Sequence, residues 1–358
     1  MADALETSGA NPGRAGHRLS LAAGRIIEIC RQHIAEMLGE ADASRVAFAQ
    51  NTTDALNMAI HGAVHTGDHV VSTLMEHNSV LRPLSELARS GIITLTLVPP
   101  DADGRIHAQE IERALTARTR LVAMTHMSNV LGLEQDVAAV GAVCRRRGVL
   151  FLVDAAQTAG HVPLKPGKWG CTMLAMPGHK GLYGPQGTGV LLCGQDVPTR
   201  TLLEGGTGSL SEQQAMPDFL PDRLEAGTHN MPGIAGLLAG VRFVRQLGPE
   251  AICAEERQLA ALAAEGLRRI PGLRVYALPD LAAQTGVLSV VPEHLDAEAL
   301  GNALAERGIA VRAGLHCAPL AHRTAGTLDT GSVRISFSHW NTREEVHCLL
   351  AAIGEICQ

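Results

Sequence analysis

The chain has 358 residues, of which 46% are hydrophobic and 18% are charged, and its formal net charge is −6. This length predicts two lobes or one large α/β unit, and the composition argues against a disordered chain and against a basic nucleic-acid-binding surface. The first 20 residues lack the basic start and apolar run of a signal peptide, and no stretch offers about 20 uninterrupted apolar residues. We therefore expect a cytoplasmic protein.

Short apolar runs alternate with amphipathic segments through the first half of the chain. The strand-length runs are RVAFA, HVVST, ITLTLV, RLVAMT, VLFLVDAA, TMLAM and TGVLLC. Segments with apolar residues at helical spacing lie between several of them, namely DALNMAIHGAV, SVLRPLSELARSG, HAQEIERALTA and DVAAVGAVCRRRG. Strands that alternate with helices predict a mostly parallel sheet with helices on both faces.

The pattern changes after about residue 233. Two long helical segments, IAGLLAGVRFVRQLG and AICAEERQLAALAAEGLRRI, lead into the predicted strands RVYAL, GVLSVVP, IAVRAG and SVRISFSH. DAEALGNALAERG and TREEVHCLLAAIGEIC are predicted helices among them. We expect a large domain over residues 17–245, a smaller α/β domain over 246–358, and an N-terminal segment over 1–16.

Parallel sheets bind ligands at the carboxyl ends of their strands, so the polar residues that follow strands are the first candidates for a site. The sequence has several there: Asn51 to Thr53, His77, Asn129, Asp154, Gln157, His179 and Lys180.

Lysine occurs only at positions 165, 168 and 180. Lys165 and Lys168 lie in PLKPGKWG, whose proline and glycine residues predict a solvated surface turn. Lys180 lies in a glycine-rich segment, where it is either an ordinary loop lysine or an amine that forms a Schiff base with an aldehyde. Asp154 ends a strand and could keep a pyridinium nitrogen protonated, and Gln157 could donate to a ring phenolate. Together they point to pyridoxal phosphate.

Each of the other residues at the strand ends has two possible roles. His77 is either a loop histidine or a ring that stacks on a flat cofactor. Asn51, Thr52 and Thr53 begin a predicted helix, so they either cap it or bind a phosphate group there.

Cys317 lies in RAGLHCAPLAH, between Arg312 on one side and His322 on the other, with His316 next to it. It could be a metal ligand, half of a disulfide or a nucleophile. A metal site needs three or four converging ligands, and adjacent His316 and Cys317 are poorly placed for that. A nucleophilic cysteine reacts as the thiolate, and Arg312, His316 and His322 are the candidates for favouring that form.

The other cysteines do not suggest disulfides. Eight cysteines occur without a C-x-x-C pair or a dense framework. Most of the rest lie in apolar runs, for example Cys193 and Cys348, and we expect those to be small buried hydrophobic residues.

Eight motifs, in order, resemble the class V family of aminotransferases that depend on pyridoxal phosphate (PLP), in particular cysteine desulfurases and selenocysteine lyases. They are NTTDALN, MEHNSV, SNVLG, VDAAQTAGHVPL, MPGHKGLYGPQGTGVLL, EAGTHN, RAGLHCAP and GSVRISFSHWNT. The resemblance covers about residues 10 to 350. It implies a fold type I homodimer whose large domain has a mostly parallel seven-stranded sheet, followed by a smaller C-terminal α/β domain.

The resemblance also implies roles for individual residues. Lys180, Cys317 and His77 would be catalytic, with Lys180 forming the Schiff base and His77 stacking on the ring. The implied cofactor-binding residues are Thr52, Thr53, His77, Asn129, Asp154, Gln157, His179, Lys180 and Thr228. The implied substrate-binding residues are Asn129, Arg312 and Arg334.

Within that set, Asp154 would pair with the pyridine nitrogen and Gln157 with the ring oxygen. Thr53 and His179 would bind the phosphate, helped by Thr228 from a neighbouring subunit. Asn129 and Arg334 would hold the substrate carboxylate, a task suited to the planar fork of arginine.

Three features depart from the family pattern or refine it. Pro177 stands where many desulfurases have a phosphate-binding serine, so Thr52, Thr53 or a main-chain group has to compensate. MADALETSGANPGRAGHR has no N-terminal strand with an asparagine-alanine-threonine motif, which implies either a truncated start or an enzyme that works without it. Cys317 and Arg334 are 17 residues apart, as in the short-lobe second group of desulfurases, so a sulfur-acceptor protein would have to come to the site.

The sequence thus leads to three hypotheses. The first is a PLP-dependent cysteine desulfurase that converts L-cysteine to L-alanine and forms a persulfide on Cys317. The second keeps PLP but makes the chain a selenocysteine lyase, a C–S lyase, or another class V aminotransferase or epimerase. The third is an inactive partner protein in sulfur transfer, motivated by Pro177 and the missing strand.

Overall fold

The computed structural model describes residues 1–13, 16–194, 196–278 and 283–357. All seven strands predicted in the first half of the chain form one sheet: β1 (Val46–Ala49), β2 (Asp68–Thr73), β3 (Ile93–Val98), β4 (Thr119–Thr125), β5 (Leu150–Asp154), β6 (Met173–Pro177) and β7 (Gly189–Cys193). The strand order is β1-β7-β6-β5-β4-β2-β3. Strands β2 to β6 pair in parallel, and β7 is antiparallel to both β6 and β1. The predicted mostly parallel seven-stranded sheet is confirmed.

Helices cover both faces of this sheet. The α-helices from the start of the chain to residue 247 are α1 (Ala2–Ser8), α2 (Arg18–Met37), α3 (Thr52–Ala63), α4 (Asn78–Arg89), α5 (Ala108–Ala114), α6 (Val137–Arg147), α7 (Pro166–Trp169) and α8 (Met231–Leu247). Two apolar clusters, one on each side, bury the inward-facing residues of the strands. Central strands such as β5 and β6 are buried along nearly their whole length because both faces are covered.

A second, four-stranded sheet follows. It consists of β8 (Leu273–Tyr276), β9 (Val287–Pro292), β10 (Arg312–Gly314) and β11 (Ser332–Ser336), in the order β10-β11-β9-β8 and antiparallel throughout. Helices α9 (Pro249–Leu267), α10 (Ala297–Glu306), α11 (Pro319–Thr324) and α12 (Arg343–Ile356) accompany it. Residues of α9, α10 and α12 bury a third apolar cluster against this sheet.

The N-terminal region is helical. Helix α2 packs against α8 on the large sheet. The family's N-terminal strand is missing from the sequence of the first 18 residues, and two of these residues, 14 and 15, lie outside the described residues. Helix α1 precedes them and helix α2 follows them. Within the described residues, none of the helices combines the length and apolar character needed to span a bilayer.

Two smaller predictions had different outcomes. Lys165 and Lys168 are exposed as expected, although a short helix, α7, replaces the predicted turn. Cys193 is buried, but the prediction for Cys348 is wrong, since its side chain is exposed. The buried positions of α12 include Val346 and Leu349, and Cys348 falls between them on the solvent side of the helix.

Candidate active site

A cavity of about 200 Å³ lies at the carboxyl ends of the large-sheet strands. Its lining residues are Asn51, Thr52, Thr53, His77, Ser79, Thr125, Met127, Asn129, Asp154, Ala156, Gln157, His179 and Lys180. Eight of the predicted site residues are therefore brought together from five separate stretches of sequence. The sheet explains why, since β1, β2, β4, β5 and β6 all deliver their following residues to this edge.

Asp154 and Lys180 form the charged centre of the cavity. Asp154 is the buried last residue of β5, and its Oδ1 accepts the Ala156 N–H at 2.9 Å. Burial raises the pKa of Asp154, whereas the Ala156 hydrogen bond and the charge of Lys180 oppose that rise.

The Lys180 side chain is exposed because it lines the open space of the cavity, but the walls of that cavity are protein groups. These groups desolvate the amine, which lowers the pKa of Lys180, and the charge of Asp154 opposes the effect. Arg334 and Arg312 lower the pKa further by repulsion. The surroundings thus make the neutral, nucleophilic amine less costly than it is for a solvated lysine.

His77 is an uncharged ring at the cavity wall. It caps α4, and its Nδ1 accepts the Ser79 N–H at 3.1 Å. Burial lowers the pKa of His77 to about 4, and repulsion from Lys180, Arg312 and Arg334 adds to the effect. Since Nδ1 is the acceptor, the neutral ring carries its proton at Nε2.

One end of the cavity is rich in hydrogen-bond donors. Helices α3 and α4 both begin there, so their first backbone N–H groups have no partner within the helices. The hydroxyl groups of Thr53 and Ser79 are 2.7 Å apart at the same end. Sequence reasoning missed Ser79, although its position two residues after His77 at the start of a helix could have indicated it.

A second cavity of about 270 Å³ adjoins the first and shares Met127, Gln157 and Lys180 with it. Arg334 on β11 lines this second cavity and is partly buried. Its Nη1 donates to the Asn129 backbone carbonyl at 3.4 Å, and its buried Nε has no hydrogen-bond partner among the described residues. The guanidinium group is thus available to an anion beside Lys180.

Cys317 lies beside this pair of cavities but lines neither. Its side chain is exposed, and Arg312 Nη2 donates to the sulfur at 3.7 Å. Its backbone is anchored to the first cavity, because the Asn78 N–H at the start of α4 donates to the Cys317 carbonyl at 2.7 Å.

The backbone around Cys317 is strained. His316 and Cys317 have φ values of 49° and 59°, a left-handed conformation that costs about 1–2 kcal/mol for each non-glycine residue. Side-chain support holds the turn, since Asn129 Nδ2 donates to the His316 carbonyl at 2.7 Å.

The expectation that His316 and His322 act as cations near Cys317 is wrong. His316 is 2% exposed and His322 is 0% exposed, and burial is the main cause that lowers both pKa values, that of His316 to about 3. The His316 ring is therefore neutral at pH 7, and the lowered pKa of His322 favours the neutral form of that ring as well. Of the three predicted cations, only Arg312 remains as a charged neighbour of the sulfur.

Thr228 lies away from the main cavity of its own chain. It is exposed and lines a separate cavity of about 130 Å³ with Gln50, Leu203 and His229. Its predicted contribution to a neighbouring subunit stays a prediction.

Two buried acids near the site were also missed by sequence reasoning. Glu76, which directly precedes His77, is completely buried, and Glu256 on α9 is bound to His161 at 2.9 Å in the wall of the second cavity. Neither position is distinguished by hydropathy, because burial of a single acid depends on tertiary packing. The described residues contain no group of three or more His, Cys, Asp or Glu side chains that could hold a metal ion.

Comparisons with known proteins agree with this architecture. A family model described as Aminotransferase class-V matches residues 1–349. A probable cysteine desulfurase of Methanothermobacter thermautotrophicus is 34% identical over 363 residues, which cover 99% of this chain and 90% of that protein. One from Mycolicibacterium paratuberculosis is 35% identical over 356 residues, but the match spans 97% of this chain and only 51% of that protein.

Among solved structures, the apo structure of a cysteine desulfurase from Thermococcus onnurineus matches with a TM-score of 0.91 and 31% sequence identity, covering 99% of this chain and 90% of that chain. The chain belongs to the class V aminotransferase family.

Proposed function

We propose that the protein is a PLP-dependent cysteine desulfurase, which converts L-cysteine to L-alanine and carries the sulfur away as a persulfide on Cys317. The observation that carries this proposal is the meeting of Lys180 and Asp154 in one cavity, beside a strained turn that presents an exposed thiol. The names of the relatives that match along nearly the whole chain support the same activity.

The residues of the cavity suit PLP. Asp154 offers a buried carboxylate for a pyridinium nitrogen, and Lys180 offers an amine with a lowered pKa for an aldehyde carbon. The hydroxyls of Thr53 and Ser79, with the starts of α3 and α4, suit a phosphate group. When bound, PLP supplies an electron sink for the carbon that carries the amino group.

Other cavity residues orient and shield the reacting groups. The neutral ring of His77 offers a flat surface without placing a second cation beside Lys180. Gln157 reaches both cavities and suits the ring oxygen, while His179 precedes Lys180 and suits the phosphate with Thr52.

The substrate carboxylate would bind Arg334 and Asn129, which already contact each other. Arg334 lines the second cavity, and its Nε has no hydrogen-bond partner among the described residues. Arg312 lies at the sulfur of Cys317, where its Nη2 donates to the sulfur at 3.7 Å.

In the sulfur transfer, the Cys317 thiolate forms a bond to the substrate sulfur while the bond between that sulfur and the β-carbon breaks. The bonding electron pair stays with the carbon skeleton, which gains a proton to become alanine. Cys317 is left as the persulfide, which a sulfur-acceptor protein then attacks.

The assembly and organisation of the chain are part of the proposal. We propose a cytoplasmic homodimer in which Thr228 reaches the phosphate end of the partner's cavity, consistent with its exposure outside its own cavity. We also propose the domain boundary at residues 245/246, in the last turn of α8, because the buried residues of α8 pack on the large sheet and most of those of α9 pack on the small one.

Product analysis tests the activity. The purified wild type should show Schiff-base absorbance in the visible range and form alanine from L-cysteine. Lys180→Ala should lose both, and Cys317→Ser should keep the absorbance but lose sulfur release. Lys165→Ala is the matched control, because it removes an exposed lysine outside the cavity.

The alternative outcomes are distinct. Pyruvate with ammonia would identify a C–S lyase, and an exchanged amino group a transaminase. A wild-type protein without Schiff-base absorbance, or with absorbance and no turnover, would contradict the proposal and leave an inactive relative.

A further inference from the structure

We propose that a buried hydrogen-bond chain positions the nucleophile turn, which we define as residues 315–318 around Cys317. The chain runs through His316, Ser332 and Ser289 and ends on a backbone carbonyl. These three are positioning residues, since they act on sulfur transfer through the turn and not by touching the substrate. The inference rests on the proposed function only for the role of Cys317 as nucleophile.

The hydrogen bonds of the chain have one consistent direction. Ser289 Oγ donates to the Val130 carbonyl at 2.5 Å, and Ser332 Oγ donates to Ser289 Oγ at 3.4 Å. His316 Nε2 lies 3.1 Å from Ser332 Oγ, whose proton is already used, so the imidazole is the donor there. In this arrangement the His316 ring carries its proton at Nε2.

Burial makes this chain stronger than a surface network would be. Ser289, Ser332 and His316 are 0%, 1% and 2% exposed. Water cannot replace a lost bond at such positions, so each removed hydroxyl leaves a buried polar neighbour without its partner. The neutral state of His316 also fits, because the chain requires a donor at Nε2 but no charge.

The nucleophile turn needs such support because of its backbone conformation. Both His316 and Cys317 have positive φ, and the His316 side chain anchors the residue next to the sulfur-bearing one, alongside the bonds to the His316 and Cys317 carbonyls. The turn closes through an Ala318 N–H to Leu315 carbonyl bond of 2.9 Å. Without the anchor, the turn can relax toward an ordinary conformation and carry the Cys317 sulfur away from Arg312.

The same chain connects the turn to the substrate end of the site. Asn129, adjacent to Val130, holds the His316 carbonyl with its side chain and contacts Arg334 with its own carbonyl. The strand β11 carries both Ser332 and Arg334. The nucleophile and the carboxylate-binding residues are thus fixed to one framework across the two sheets.

Cysteine alkylation tests this inference without requiring turnover. Iodoacetamide would be added to the full-length holoenzyme, and peptide mass spectrometry would follow Cys317, with the exposed Cys348 on α12 as internal reference. Ser332→Ala and Ser289→Ala should each slow alkylation of Cys317, by up to about fivefold, the factor by which one buried hydrogen bond changes the equilibrium between two conformations. Cys348 should react at the wild-type rate.

Three further readouts separate positioning from general damage. The double variant should be no slower than the slower single variant, because both hydroxyls belong to one chain. Ser332→Thr, which keeps the hydroxyl, should restore the rate, and Ser85→Ala is the matched control on an exposed face of α4. With L-cysteine as substrate, Ser332→Ala and Ser289→Ala should lower kcat by a similar factor and leave KM unchanged.

The inference would be overturned if Cys317 were alkylated at the wild-type rate in both single variants. So would losses that multiply in the double variant, or equal slowing of Cys317 and Cys348, which would indicate a global effect. If the wild type forms no alanine, the proposed function fails, but the alkylation comparison still decides whether the chain positions the turn.

Discussion

Replacing Glu76 with glutamine should remove a pH-dependent loss of stability from the folded protein. Glu76 is 0% exposed, and its Oε1 accepts the Thr73 hydroxyl at 2.6 Å. Its Oε2 has no hydrogen-bond partner among the described residues, and the charged group that acts on it is a second carboxylate, Asp154 on β5. In the part of the chain that the structure describes, no cation offsets its charge, so the ionised form is costly.

The magnitude follows from the two protonation states. Burial raises the pKa of Glu76 from 4.5 to about 8, with Asp154 adding to the rise, while the hydrogen bonds from Thr73 and the Thr125 backbone oppose it. Each unit by which the pKa of Glu76 in the folded chain exceeds that in the unfolded chain is worth about 1.4 kcal/mol, so the ionised Glu76 costs the fold roughly 5 kcal/mol.

The sign of the pH dependence is fixed by this raised pKa. Below pH 4.5 both the folded and the unfolded chain are protonated at Glu76, and the fold bears no cost. As the pH rises from 4.5 to about 8, the unfolded chain loses the proton first, so stability falls, and above 8 the loss is complete.

Chemical denaturation of the cofactor-free protein at a series of pH values measures the effect. Glu76→Gln is nearly isosteric and cannot ionise, so its stability advantage over wild type should grow across that pH interval and then level off. Glu86→Gln is the matched control, because it removes an exposed carboxylate from the neighbouring helix α4. A constant difference between Glu76→Gln and wild type from pH 4.5 to 8.5 would refute the reasoning.

Two further substitutions probe a buried ion pair and the carboxylate site. Glu225→Gln should lower the free energy of unfolding by about 3–5 kcal/mol in denaturant titration, because the buried Arg31, which contacts Glu225 at 2.8 Å, then keeps only the exposed Glu28 as a counter-charge. Glu28→Gln, which removes that exposed partner, should change the free energy of unfolding by less than about 1 kcal/mol. Arg334→Lys should reduce kcat/KM for L-cysteine at least about tenfold, since an ammonium group cannot reproduce a bidentate contact, and steady-state kinetics with an unchanged value would contradict that role.

The sheet and most of the cavity could be predicted because they depend on local pattern. Apolar runs of strand length, such as those that became β2 and β5, determine the strands, and a parallel sheet brings their following residues to one edge. Asp154 and His77 therefore meet in space although 77 positions separate them.

What could not be predicted depends on packing between distant segments. The neutral state of His316 follows from its enclosure between two sheets, and the sequence shows only a histidine beside a cysteine. Glu76 was missed for the same reason, since its burial is set by neighbouring strands. Cys348 was assigned to the wrong side of α12 because an apolar run says little about the rotation of a helix about its axis.

The proline at position 177 illustrates how the fold compensates for a missing group. Pro177 ends β6 and is paired with Gly189, and the following residue resumes the ladder, since the Gly178 N–H donates to the Thr188 carbonyl at 2.9 Å. A strand end tolerates proline, so the sheet itself is not weakened there. Under the proposed function, the Thr53 and Ser79 hydroxyls, 2.7 Å apart where α3 and α4 begin, would supply donors to the phosphate in place of a serine at position 177. The proline is then no argument against phosphate binding.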